Sequence, residues 1–207
     1  MHNGFEDHLR AVMTELSPIP DAEWDFFWRH VRQRRFARGD HVFREGQPAG
    51  DIHFLLAGLL RLYHCSDGEE LVRGFDYEGR FIAMYESVIT GCPSHLNVQA
   101  LEPLHTLTFP GSMLLQTYDR HPCWDRFGRR VLEQHWVRRQ DKEMRFRVYG
   151  PEEHYRLLLA RGSPLIGRVP LRQLASYLQI TPETLSRIRG RVAREADGVA
   201  ALAGDAH

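Results

Sequence analysis

No stretch of this 207-residue chain approaches the ~18 consecutive apolar residues that a membrane-crossing helix needs. The longest apolar run, Ile52 to Leu60, is broken by His53 and holds Ala57 and Gly58. The first ten residues carry Glu6 and Asp7 and no apolar signal core. The sequence therefore reads as a cytoplasmic protein with no membrane partner. Cysteine is scarce: Cys65, Cys92 and Cys123 are odd in number and contain no C-x-x-C. That excludes a disulfide framework, a zinc knuckle and a Cys-ligated iron–sulfur cluster, and buried, inert thiols are expected. Net charge is also missing, since 27 Lys+Arg balance 27 Asp+Glu. A uniformly basic coat is excluded, whereas a local basic patch is not. Lysine is almost absent: Lys142 is the only one. Arginine fills surface positions where nothing demands a planar fork, which we read as codon bias.

Catalytic and metal signatures are missing too. The 12 histidines form no H-x-H, H-x-x-x-H or H-E-x-x-H, so no metal site is expected, and His64-Cys65 is the only adjacent soft-ligand pair. His41, His53, His95 and His105 are expected at strand surfaces. No G-x-S-x-G, Walker-type loop or G-x-G-x-x-G occurs. No assembled acid, base or nucleophile is visible, so the chain is expected not to be an enzyme, with no catalytic residues and no cofactor.

What is there is ordinary globular material, 43% hydrophobic and 26% charged. Met1 to Arg35 reads as helical, with Phe5, Leu9, Val12, Met13 and Leu16 at helical spacing and Ser17-Pro18-Ile19-Pro20 as the break. Asp21 then caps a helix bearing Trp24, Phe27, Trp28 and Val31. Phe36 to Ser112 reads as β: short apolar runs separated by glycines, with Asp67-Gly68 as a hairpin turn. Many short strands with regular turns suggest a jelly roll or small barrel. Pro122 to Tyr149 reads as one long helix, with a partial apolar seam at Val131, Val137, Met144 and Val148. Pro151 starts a further helix, and Ala196 to His207 has the composition of a frayed tail.

Leu171 to Ile188 carries the sharpest pattern. Leu174 and Leu178 share one helical face, and Ala175 is small where two helices must cross. Thr181 can cap a second helix with Pro182 in its first turn, and Leu185 and Ile188 turn inward. That is the packing pattern of a helix-turn-helix. Glu183, Ser186 and Arg187, at i, i+3 and i+4, share the outward face. Arg can fork onto guanine, Glu can accept from cytosine N4, and Ser can serve either partner. From Arg168 to Arg194 there are six arginines against one acid, Glu183, concentrating positive charge where phosphates would lie. Arg172, Thr181 and Arg191 are the expected phosphate contacts. The turn position often held by Gly is Gln179, which would cost about 1 kcal/mol if φ is positive there.

These segments together resemble the Crp/Fnr superfamily of bacterial transcription regulators. The resemblance rests on R-G-D-H-V-F-R-E-G, F-L-L-A-G-L-L-R-L-Y and L-A-S-Y-L-Q-I-T-P-E-T-L-S-R-I-R, and covers roughly Phe36 to Arg194. It implies an α+β fold with N-terminal helices and a jelly-roll-like β-roll of the cyclic-nucleotide-binding-domain type (1–121). A long dimerisation helix (122–149), a winged helix-turn-helix-like DNA-binding domain (150–195) and a flexible tail (196–207) would follow. E-x-x-S-R, here Glu183, Ser186 and Arg187, is similar to the Fnr-type recognition triplet, implying a dyad-symmetric operator with a T-T-G-A-like core in each half-site.

Members that bind cyclic AMP carry a cassette resembling F-G-E-L and then R-S-A or R-T-A. The corresponding stretches here are Phe81-Ile82-Ala83-Met84-Tyr85 and Ser94-His95-Leu96-Asn97. Met84 stands where the ribose-binding Glu is expected and Ser94 where the phosphate-binding Arg is expected, so cyclic AMP is not expected in the family's usual mode. Phe81, Met84, Tyr85, Ser94 and His95 are the candidate pocket for an unknown small effector. The expected partners are double-stranded DNA, a second copy of the chain, and RNA polymerase if the protein activates. A second reading stays open, in which the β-roll is a ligand-binding module acting through a protein partner with residual DNA heads.

Overall fold

The computed structural model describes residues 4–204. Two compact units divide them, one from residues 1–64 and 74–141, the other from 65–73 and 142–207.

The first unit opens with helices α1 (Gly4–Leu16) and α2 (Asp21–Trp28). Pro20, not Asp21, occupies the N-cap of α2, and its side chain supplies no hydrogen bond. Asp21 instead begins the helix and pairs with Arg10. Eight strands follow: β1 (Arg32–Phe36), β2 (His41–Phe43), β3 (Asp51–Ala57), β4 (Leu59–Ser66), β5 (Glu69–Tyr77), β6 (Phe81–Ile82), β7 (Asn97–Ala100) and β8 (Leu104–Pro110). They form two four-stranded sheets, ordered β1-β8-β3-β6 and β2-β7-β4-β5, and the β-roll expected from the turn spacing is present. Strand formation begins at Arg32, inside the segment expected to be helical. The helix α3 (Tyr85–Thr90) interrupts the strands, and α4 (Gly111–Tyr118) follows them.

Period-two alternation places successive residues of β3 in different cores. Ile52 and Phe54 join Leu9, Met13, Trp24, Phe27, Leu107, Phe109, Trp124 and Phe127, where the sheet meets the helices. Leu55 joins Phe43, Leu60, Ile82, Met84, Val98 and Leu104 between the two sheets. Because β3 is central and covered on both faces, His53 is only 2% exposed and does not lie at a strand surface. Its Nδ1 pairs with the Thr108 hydroxyl at 2.8 Å, and burial, helped by the Arg34 charge, lowers its pKa to about 4.

The long helix α5 runs Pro122–Val148, as the sequence predicts. Its Gly128 is required by close approach: a Cβ there would stand 2.5 Å from the Tyr118 hydroxyl. Glu23 receives the Trp124 indole N–H at 3.0 Å and Arg120 Nε at 2.9 Å. Burial pushes its carboxyl up, but these donors outweigh that and hold it below its ordinary range. Of the cysteines only Cys123 is buried, with its thiol pushed up by burial; Cys65 and Cys92 are exposed, against expectation.

The second unit holds the end of α5, then α6 (Pro151–Ala160), α7 (Leu171–Tyr177) and α8 (Pro182–Gly204). Among the described residues no strand follows Pro110, so the expected wing has no strand. The backbone expected to fray from residue 196 continues α8 as helix to Gly204, and 205–207 lie outside the described residues. The hairpin tip 65–73 groups with these helices. Its turn is the Asp67-Gly68 pair, at φ 52° and 80°, as the sequence predicts.

Candidate nucleic-acid interface

Helices α7 and α8 pack through Leu174, Ala175, Leu178, Leu185 and Ile188, all buried. Ala175 is fully buried, as the close crossing requires. The chain reverses between the helices at Gln179, whose φ of 59° is the left-handed conformation that glycine would adopt without strain. Thr181 caps α8: its hydroxyl oxygen accepts the Thr184 N–H at 3.2 Å, and Pro182 fills the first position, where no N–H partner exists.

With one side of α8 held down by Leu185 and Ile188, Glu183, Ser186 and Arg187 are all exposed. The structure brings this predicted triplet onto one face. Glu183 accepts from its own backbone N–H and from the Thr181 hydroxyl, and with Arg187 a turn further on its carboxyl is held below the ordinary range. It is therefore an acceptor-only group at neutral pH. Arg187 Nη2 donates to the Thr184 hydroxyl at 3.2 Å, which steadies the guanidinium without neutralising it.

Among the predicted phosphate contacts, Thr181 and Arg172 are exposed. Arg191 is ion-paired with Glu152 of α6 at 2.9 Å. Arg194 was not singled out from sequence, although it lies at i+7 from Arg187. The two, with Gly190 and Arg191, line one concavity on α8. Arg156 braces this helix from α6, bonding Glu152 at 2.8 Å and Glu195 at 2.6 Å. Ser176 ties α7 to the hairpin tip: its hydroxyl accepts the Val72 N–H and donates to the Glu70 carbonyl, both at 3.1 Å. Nothing in the local sequence signals this contact, because 104 residues separate Val72 from Ser176.

The five candidate effector residues have different surroundings. Phe81 packs toward the helices against Phe54 and Phe127, with ring centroids 5.0 and 5.9 Å away. Met84 is buried between the sheets. Ser94 is buried and spends its hydroxyl on the Leu96 carbonyl at 2.7 Å. His95 is exposed, 3.4 Å from Glu86. Tyr85 alone lines a groove, with Tyr118, Asp125, Gly128, Leu132 and Trp136. Alternation along β6 and the start of α3 sends neighbouring side chains to separate faces, which a list of sequence positions does not reveal. Among the described residues no helix is long and apolar enough to cross a membrane, and no cluster of His, Cys, Asp and Glu could hold a metal ion.

Residues 33–121 match the family described as the cyclic nucleotide-binding domain. The transcriptional activator protein anr of Pseudomonas aeruginosa is 23% identical over 181 residues, which is 76% of this chain and 68% of that protein. The structure of FixK2 from Bradyrhizobium japonicum superposes with a TM-score of 0.66 at 18% identity, covering 80% of this chain and 86% of that one. DNR from Pseudomonas aeruginosa gives 0.57 at 21% identity, covering 94% and 89%. These structural likenesses establish the fold. Residues 33–121 are thus similar to the cyclic nucleotide-binding domain family, and the chain as a whole is similar in fold to these proteins.

Proposed function

We propose that the chain is a sequence-specific DNA-binding transcription regulator that acts as a homodimer on a palindromic operator. The observation that carries this reading is the exposed Glu183, Ser186 and Arg187 triplet on a helix whose opposite side is buried. The donors and acceptors of a major-groove edge match these side chains, and Arg172, Thr181, Arg191 and Arg194 supply phosphate contacts. A T-T-G-A-like half-site follows from the resemblance of the triplet. Dimerisation is supported by α5, which leaves Leu132, Trp136, Val137, Met144 and Val148 exposed; an apolar face of this kind on a long helix suits a second copy.

Ser94 offers a cyclic phosphate no charge, and its hydroxyl is already engaged by Leu96. The β-roll therefore supports or senses without cyclic AMP in the usual mode, and an effector, if used, acts by favouring one dimer arrangement. RNA polymerase is the further partner if the protein activates, and the cytoplasm is its place of action.

Selection of bound duplexes from a random pool tests the reading. The expected result is a palindromic consensus. Arg187→Ala should then lose about 1–3 kcal/mol on that consensus and much less on random duplex. Equal losses on both would overturn the assignment, and absence of any preferred sequence would return the chain to the ligand-module reading.

A further inference from the structure

The arginines of α8 have few acids beside them in sequence. From Arg168 to Arg194 the only acidic residue is Glu183. The counter-charge for Arg191 comes from α6. Pro151 opens that helix, and Glu153 accepts the Gly150 N–H at 2.9 Å. Glu152, between them, divides its two carboxylate oxygens. Oε1 accepts from Arg156 Nη2 at 2.8 Å within α6, and Oε2 pairs with Arg191 Nη2 of α8 at 2.9 Å. Arg156 is itself anchored to Glu195 of α8 at 2.6 Å. Two acids and two guanidiniums thus form a neutral network between the helices.

This contact sets Arg191 apart from its neighbours. Arg187, Arg191 and Arg194 line one concavity with Gly190. Arg187 and Arg194 donate to neutral oxygens, the Thr184 hydroxyl and the Gly190 carbonyl, both at 3.2 Å. Among the described residues Arg191 alone of the three is ion-paired. Its side chain is still 55% exposed, against 28% for Glu152. An incoming phosphate can therefore reach the guanidinium while the carboxylate is still on it. Arginine keeps its charge at any physiological pH, so only a bound anion can cancel it. An ion pair this exposed is weak enough to be displaced.

A brace between α6 and α8 needs no role in binding, but Arg156 with Glu195 already supplies that brace. The pair of Glu152 with Arg191 is additional to it, and it occupies a cation that faces the concavity. We propose that Glu152 competes with the DNA backbone for Arg191 and so sets how tightly α8 holds duplex of any sequence. Glu152 is then a positioning residue that acts through Arg191. The proposal rests on the DNA-binding reading above and adds to it an acid that works against binding. Backbone attraction carries no sequence information. An acid that restrains it lowers binding to every duplex and leaves discrimination to Glu183, Ser186 and Arg187.

The test measures the affinity of the full chain for the selected operator and for random duplex at one salt concentration. Glu152→Gln removes the charge, and Glu152→Asp keeps it but withdraws it by one methylene. Both variants should bind both duplexes about two- to five-fold more tightly, the range that an exposed ion pair is worth. The ratio of operator to random binding should stay the same. Arg191→Gln should weaken binding, and adding Glu152→Gln to it should give almost no further change. A purely structural role would lower affinity on substitution rather than raise it. Unchanged or weaker binding by the Glu152 variants would overturn the proposal. So would a gain that survives Arg191→Gln, or one seen with Gln and not with Asp, since either would mark a general effect of charge. If Arg191→Gln binds both duplexes as the unaltered chain does, the placing of α8 on the backbone fails. If it binds more weakly while the Glu152 variants gain nothing, only the competition fails.

Discussion

The two units stay ordered by different means. In the β-roll unit the packing is aromatic: Trp24, Phe27, Phe54, Phe109 and Trp124 are all essentially inaccessible, and the surrounding shell is deep enough to enclose a histidine. In the C-terminal unit the helix-turn-helix packs through five aliphatic side chains, Leu174, Ala175, Leu178, Leu185 and Ile188, and the rest of the buried set is small, with Tyr155, Leu165, Val169 and His154 among it. All four tryptophans, at 24, 28, 124 and 136, belong to the first unit. The difference shows that a helix pair can be held by a largely aliphatic core with few aromatic side chains. Tryptophan fluorescence reports the first unit alone, whereas helical ellipticity reports both, so a change in ellipticity without a change in fluorescence belongs to the second unit.

The sharpest way to break this comparison is Leu185→Ala. The side chain is fully buried between α7 and α8, and truncating a buried leucine costs about 3 kcal/mol. The small core of this unit has little to spare, so part of the helical ellipticity should melt earlier and operator binding should fail. The tryptophan fluorescence transition should hold its temperature. A single transition that shifts both signals together would show that the units are not energetically distinct.

Acid provides a test in the opposite direction, aimed at the roll. The folded pKa of His53 is about 4, below its ordinary value of 6.5. On acidification the unfolded chain takes up the proton first, so this contribution is intact above pH 6.5 and disappears as pH falls toward 4. By pH 4 the loss amounts to about 3 kcal/mol. His53→Leu should remove that part of the acid sensitivity, read as denaturant midpoints by tryptophan fluorescence from pH 7 to pH 4. The exchange leaves no orphaned hydroxyl, because Thr106 and Thr108 also pair with each other at 3.1 Å. An equally steep acid loss in the variant would assign the sensitivity elsewhere.

The same contrast explains what the sequence could and could not show. The helix-turn-helix was legible because Ala175, Thr181, Pro182 and the inward leucines each carry a local signal and all the signals agree. The roll was legible as a class from its turns, with Asp67-Gly68 the clearest. β1 was not, since R-Q-R-R-F has no apolar alternation, and an edge strand exposed on both faces needs none. His53 was misplaced because a central strand covered on both sides loses the polar face that alternation would reveal. The short helices α3 and α4 are fixed by packing against distant residues, as Gly111 is against Val88. The bond from Ser176 to the hairpin is likewise set by the fold rather than by its sequence neighbours.

The smallest expected effect tests whether the thin core leaves strain unrelieved. Gln179 holds φ at 59° with its side chain exposed and its N–H donating to the Ser176 carbonyl at 3.0 Å. For an L-residue the left-handed region costs about 1–2 kcal/mol. Glycine removes that cost and keeps the backbone bond, but it raises the entropy of the unfolded chain by about 0.4–1 kcal/mol. The balance predicts that Gln179→Gly stabilises the C-terminal unit by about 0.5–1 kcal/mol. The part of the helical ellipticity that the C-terminal unit supplies should then melt a few degrees higher, while tryptophan fluorescence from the roll stays fixed. A lower melting temperature would mean that the turn draws more from the glutamine side chain than from a relaxed backbone, and the contrast between a deep core and a strained thin one would have to be withdrawn at this turn.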